Sequence, residues 1–279
     1  MKTKKSLGQN FLKSEMALKK IVEAGEIKPV DIILEIGPGK GALTKQLLAC
    51  NCRLIAVEKD YQLYELLKNK FEKEISTGQL KLINGDILDF EISYHLKAKN
   101  YKIIANIPYN ITGAILKKFL TEKNQPERMV LMVQNEVAKR IVANDKKESI
   151  LSISVKAYGE PKMIMKVPSR YFSPAPKVDS AIIVIKNISR KNFLPPSPSQ
   201  GEGLGVRSIH PDASATQEEG KQFEERFWEI VKAGFAHKRK KLSGNLKTLE
   251  KNWEVSKMEN FGSKRAEDLT LNDWIELSK

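Results

Sequence analysis

Asn106, Ile107, Pro108 and Tyr109 follow an apolar run, YKIIA, and continue it as NIPYN. If the run is a strand, the chain leaves it with an amide, a proline that ends pairing and an aromatic ring. That set suits chemistry on a nucleobase. An exocyclic amine is a weak nucleophile because its lone pair is delocalised into the base. Accepting hydrogen bonds from both amine hydrogens draws the nitrogen toward tetrahedral geometry, and the Asn106 side-chain carbonyl and the Ile107 backbone carbonyl supply two acceptors. Pro108 stiffens the turn and Tyr109 offers a stacking face. For the electrophile, the sequence carries no serine, histidine and acid set and no phosphate-cradling lysine motif. A sulfonium methyl donor fits, because it brings its own leaving group and asks mainly for alignment and desolvation. No general base is needed, since the alkylated amine is strongly acidic. Taken singly, the four residues also read as a strand end with a breaker, a turn residue and a packing ring.

Upstream, LEIGPGKGALT spaces Gly37, Gly39 and Gly41 as G-x-G-x-G between a strand pattern and a helix pattern. Glycines admit close backbone approach and positive φ, and the helix start behind them favours polar or anionic ligand groups. The spacing differs from the G-x-G-x-x-G of dinucleotide sites and also occurs in plain tight turns. Glu58 closes the next apolar run about 20 residues on, where an acidic side chain accepts hydrogen bonds from ribose hydroxyls. Asp86 ends the third run, in NGDILDF, placed to accept from an adenine amino group. Asp89 reads as a surface cap, and Glu35 and Lys40, flanking the glycine turn, read as readily as solvated or structural charge as they do as part of the site.

These positions fall at the ends of apolar runs that alternate with amphipathic segments from residue 31 to about 133, a pattern of parallel strands and crossover helices. The expected fold is a doubly wound, Rossmann-like α/β sheet, and its strand ends face one crevice. PKMIMKV and SAIIVIK, joined by a proline-rich loop, suit an antiparallel pair closing the sheet's edge. Residues 187–220 lose periodicity and fill with Pro, Ser and Gly, which predicts a flexible insertion. Beyond it, Phe223, Phe227, Ile230, Val231 and Phe235 share one helical face, and a small helical domain is expected. The reading therefore divides the chain into a methyltransferase domain at 1–186, the insertion at 187–220 and a helical RNA- or ribosome-binding domain at 221–279.

Lys and Arg number 48 against 34 Asp and Glu, a formal net charge of +14 that calls for an acidic partner. No apolar run is long enough to span a bilayer and the first residues lack a signal-peptide core, so the expected location is cytoplasmic. Cys50 and Cys52 read as reduced thiols, and with His95, His210 and His237 scattered no zinc-like ligand set assembles; no metal is expected. The densest cationic clusters are Lys2, Lys4, Lys5 and Lys13, and the run His237, Lys238, Arg239, Lys240 and Lys241. Such clusters position RNA through its phosphates without reading sequence.

The stretches GQNFL (8–12), EIGPGKGALT (35–44), VEKD (57–60), GDILDF (85–90), NIPYNI (106–111), QNEVAKRI (134–141), FSPAPKVDSA (172–181) and FAHKRKKLSGNL (235–246) together resemble the ribosomal RNA adenine dimethyltransferases of the small-subunit type. The resemblance covers nearly everything except 187–220, which is longer and richer in Pro, Ser and Gly than that family leads one to expect. It implies S-adenosyl-L-methionine as donor and two adjacent adenines near the 3′ end of small-subunit (16S) rRNA as substrate, each methylated twice during ribosome biogenesis, by a monomer. Carried over by position, Asn10, Leu12, Gly37, Gly39, Glu58, Asp86 and Asn106 would contact the cofactor. Asn106 would also touch the target amine, and Tyr109 and Phe172 would sandwich the adenine. Lys4, Lys5, Lys238, Arg239, Lys240 and Lys241 would hold RNA. Two other readings share these motifs in part: a large-subunit rRNA adenine methyltransferase of the antibiotic-resistance type, and a non-catalytic ribosome-assembly factor that kept the fold.

Overall fold

The computed structural model describes residues 9–95, 101–143, 145–194, 213–247, 249 and 261–279. Its strands are β1 (Phe11–Leu12), β2 (Ile32–Ile36), β3 (Arg53–Glu58), β4 (Leu80–Asn84), β5 (Tyr101–Asn106), β6 (Arg128–Gln134), β7 (Glu160–Val167), β8 (Phe172–Ser173) and β9 (Ser180–Lys186). The chain divides into two compact units. One runs through Val142 and takes in Gly159–Ile188, and the other holds Ala143–Tyr158 and Ser189–Lys279.

The first unit is built on a seven-stranded sheet in the order β4-β3-β2-β5-β6-β9-β7. Pairing from β4 to β6 is parallel, and β9 and β7 add antiparallel strands at one edge, as the sequence predicts. β5 and β6 are buried almost end to end because helices cover both faces of a parallel sheet, which explains their unbroken apolar runs. Flanking helices start on side-chain caps. Ser14 accepts from the Ala17 N–H ahead of Glu15–Gly25, and Asp60 accepts from the Gln62 N–H ahead of Tyr61–Lys70.

Strand order reverses between β2 and β5, and there the ladder opens. β2 pairs with β3 through Ile36, and β5 pairs with β6 through Asn106, but β2 and β5 pair only from Ile32↔Tyr101 to Leu34↔Ile103. Beyond Leu34 and Ile103 the two strands part and leave a crevice at their carboxyl ends, the place where open α/β sheets bind ligands. A further two-stranded ladder, β1 with β8, joins Phe11↔Ser173 and Leu12↔Phe172.

The second unit is helical among its described residues, with helices Ile150–Lys156, Ala213–Gly234, Leu242–Leu246 and Leu271–Ser278. Phe227, Ile230 and Val231 are buried on the inner face of the long helix, and Phe193 packs edge-on against Phe227. Phe235 stacks on Trp274. Of the predicted insertion, residues 187–194 end in a 3-10 turn at Lys191–Phe193 and the long helix begins at Ala213; residues 195–212 lie outside the described residues. No helix among the described residues is long and apolar enough to cross a membrane.

Candidate active site

The glycine turn leaves β2 at the crevice. Gly37, Gly39 and Gly41 all hold positive φ, at 63°, 61° and 76°. Side chains rarely adopt that backbone, and at Gly41 a Cβ would also lie 2.6 Å from the Phe71 ring. Glu58, at the end of β3, braces the turn: its Oε2 accepts the Gly39 N–H at 3.0 Å and its Oε1 accepts the Asp60 N–H at 2.9 Å. Burial pushes the Glu58 carboxyl above its ordinary value, against the pull of these backbone donors. Each oxygen keeps a second lone pair for a hydroxyl donor.

Asp86 accepts the Leu88 N–H on Oδ1 at 2.9 Å and the Lys59 ammonium on Oδ2 at 2.6 Å. The Lys59 ammonium holds Asp86 below the usual carboxylate range. A base amino group seeking Oδ2 therefore meets a lysine already there.

Residues 9–13 lie across the same opening. The Gln9 amide donates to Asp60 Oδ2 at 2.9 Å, the Lys40 ammonium sits 4.8 Å from the Phe11 ring centre, and the Lys13 N–H donates to the Tyr171 carbonyl at 2.8 Å. The Asn106 Nδ2 donates to the Asn10 carbonyl at 3.2 Å. That bond uses one of the two amide hydrogens and fixes the flip of the side chain, which lines the cavity. Ile107 and Pro108 follow, Pro108 at φ −61° and ψ 130°, and Tyr109 opens a 3-10 turn.

One cavity of about 640 Å³ gathers Asn10, Leu12, Gly37, Gly39, Glu58, Asp86, Asn106, Ile107, Pro108 and Tyr109, together with Glu35 and Lys59. Phe172 is not among its lining residues: it is 3% exposed and packs in the core with Leu12, Val167 and Ile182. Lys238, Arg239, Lys240 and Lys241 are exposed on the turn between two helices of the second unit, and the Asn245 amide ties that turn by donating to the Gly234 and His237 carbonyls. Lys4 and Lys5 lie outside the described residues.

Glu35 is the residue whose place sequence reasoning left open. It is 1% exposed, lines the cavity, and its Oε2 finds no hydrogen-bond partner among the described residues. Burial pushes its carboxyl up to about 8, opposed by neighbouring Thr44 and reinforced by Glu58. A carboxyl oxygen without a partner beside the glycine cradle, with Glu58 and Asp86 beyond, fits a ligand rich in hydrogen-bonding groups, hydroxyl donors among them. Among the described residues no group of three His, Cys, Asp or Glu side chains is arranged to hold a metal ion.

A family model described as ribosomal RNA adenine dimethylase matches residues 1–195. A protein named ribosomal RNA small subunit methyltransferase A from Dehalococcoides mccartyi is 37% identical, with 99% of this chain and 88% of the relative covered. A protein of the same name from Francisella tularensis is 36% identical, with 99% of this chain and 97% of the relative covered. Among solved structures, a dimethyladenosine transferase from Plasmodium falciparum superposes with a TM-score of 0.73 at 24% identity, covering 96% of this chain and 95% of that one. The 23S rRNA methyltransferase ErmE superposes with a TM-score of 0.70 at 22% identity, covering 96% and 98%. These structural likenesses speak to the fold alone.

Proposed function

Because the chain belongs to the ribosomal RNA adenine dimethylase family, we propose that it transfers methyl groups to the exocyclic amines of two adjacent adenines near the 3′ end of small-subunit rRNA. S-adenosyl-L-methionine supplies, when bound, an electrophilic methyl on a sulfonium. Gly37 and Gly39 give it close backbone approach, Glu58 accepts from its ribose hydroxyls, and Asp86 accepts from its adenine amine on the Oδ1 lone pair that the Leu88 N–H leaves, Lys59 holding Oδ2. Asn10 and Leu12 close the cavity from the N-terminal side.

The observation that carries the reading is the orientation of Asn106. One of its two amide hydrogens goes to the Asn10 carbonyl, which fixes the flip of the side chain and sets Oδ1, its acceptor, for an incoming amine. With the Ile107 carbonyl as second acceptor, the site draws the amine nitrogen toward tetrahedral geometry, and Pro108 keeps the two acceptors in fixed relation. Tyr109 supplies the stacking face. Phe172, packed opposite Leu12 and next to Ser173, which lines the cavity, is the second ring that sandwiches the base.

Residues 1–186 carry the chemistry, and 221–279 hold rRNA through Lys238, Arg239, Lys240 and Lys241, with Lys4 and Lys5 adding phosphate contacts. Residues 187–220 serve neither task. The chain acts as a monomer on small subunits in the cytoplasm. The test is transfer from radiolabelled S-adenosylmethionine to unmethylated small subunits and, in parallel, to large subunits. Dimethyladenosine in the small subunit alone is the expected result. Label in the large subunit instead would assign the resistance-type reaction, and tight subunit binding without label would assign an assembly factor.

A further inference from the structure

We propose that Ser180 is a positioning residue for methyl transfer: its hydroxyl, fixed in the sheet, holds the Tyr109 ring in the place from which it stacks on the target base. The proposal rests on the stacking reading of Tyr109 and adds the group that makes it effective.

Tyr109 stands on a 3-10 turn just past β5, half-buried and lining the cavity. A ring on such a turn swings about its first side-chain torsion, and one contact at its far end fixes that swing and so the place of the ring, while the ring plane, which turns about the axis through the hydroxyl, is left to the packing around it. The Tyr109 hydroxyl and Ser180 Oγ form that contact, a hydrogen bond in which either hydroxyl can donate. Ser180 is fully buried and sits in β9 between two strands, in register with Gln134 of β6 and Val167 of β7. Its backbone is therefore held from both sides.

The residue before it tightens the anchor further. The Asp179 carbonyl accepts the Asn135 N–H at 2.9 Å, its Oδ1 accepts the Ser169 N–H at 2.9 Å, and its Oδ2 pairs with the Lys166 ammonium at 2.9 Å. β6, β7 and the loop that starts at Ser169 are thus tied together where Ser180 begins its strand. Burial pushes the Tyr109 phenol above its ordinary value, so the pair stays neutral around pH 7 and works by orientation, not by moving a proton.

A merely structural hydroxyl pair would lower stability and cofactor affinity together when broken, whereas a positioning pair lowers rRNA turnover and leaves cofactor affinity alone. The test is a double-mutant cycle on the full chain with Ser180→Ala, Tyr109→Phe and both. It reads kcat/KM for unmethylated small subunits and, separately, the Kd for S-adenosylmethionine by calorimetry. Each single change should cost about three- to tenfold in kcat/KM, the worth of one neutral hydrogen bond, and the double variant no more than the worse single one. Cofactor affinity should be unchanged, and Ser180→Thr, which keeps the hydroxyl, should restore turnover. Wild-type turnover in Ser180→Ala, losses that multiply in the double variant, or a matching loss of cofactor affinity would each overturn the proposal. Tyr109→Ala separates the two layers. Undiminished turnover there would sink the stacking reading itself, while a loss there with Ser180→Ala unimpaired would sink only the role of Ser180.

Discussion

Glu35 carries a proton where a surface glutamate would not, and that makes stability depend on pH. Its folded pKa of about 8 lies above the ordinary 4.5. The neutral form is favoured in the fold, so Glu35's contribution is fully present below about pH 4.5 and is lost as pH rises toward and through 8. Glu35→Gln, which stays neutral, should flatten that loss. Chemical denaturation at pH 6 and pH 8.5 should show wild type losing stability relative to the variant by a few kcal/mol, roughly. Parallel curves for the two proteins would contradict the assignment. Phe172 makes the opposite point, that a motif aromatic is first a core residue here. Phe172→Ala should destabilise the chain by about 3–5 kcal/mol, as expected of an emptied core site, and a change under about 1 kcal/mol would place the ring outside the core. Asn106, Glu58 and Asp86 were legible in the sequence because each is a polar residue ending an apolar run. The burial of Glu35 and Phe172 was not, because exposure is set by what packs from distant segments. Ser180 was hidden for a related reason: a serine opening a strand announces nothing until the phenol across from it is seen.

Elements explain why the cavity sits where it does. Five parallel strands were readable as apolar runs of suitable length, though β4 is buried only at Leu80, and the antiparallel edge was readable from its proline-rich connection. Harder to read was the β1 with β8 ladder, since a two-residue strand has no periodicity and its partner lies far along the chain. Residues 143–158 also gave no sign, in composition or pattern, that their contacts are with the helical unit. The glycine turn permits a graded test. Gly41→Ala forces a Cβ to 2.6 Å from the Phe71 ring and 2.9 Å from Leu67 at a φ of +76°, so it should cost about 1–3 kcal/mol of stability. At Gly39 the Cβ would meet the Phe11 ring at 3.0 Å, on the strand that closes the cavity. Gly39→Ala should therefore weaken cofactor binding by roughly tenfold or more, read by calorimetry. Unaltered affinity would mean that Phe11 and its strand are no part of the cofactor's enclosure.

At the scale of the whole molecule, the cavity and the densest described cationic run belong to different compact units, which makes the two proposed tasks separable by mutation. Replacing Lys238, Arg239, Lys240 and Lys241 with alanine should weaken small-subunit binding and leave cofactor affinity untouched. The slope of log affinity against log salt should flatten by about 0.7–0.9 for each phosphate the variant no longer neutralises. An unchanged salt slope would remove that run from the RNA interface. Deleting residues 197–210 should leave methyl transfer intact; abolished transfer with normal cofactor binding would give that segment a role in substrate engagement. The account turns most directly on how the crevice activates an amine, and single-turnover transfer by Asn106→Ala with cofactor and small subunits both saturating isolates that step. The predicted result is a rate about 10²- to 10³-fold below wild type, with subunit affinity preserved. A rate near wild type would contradict the claim that Asn106 accepts from the attacking amine.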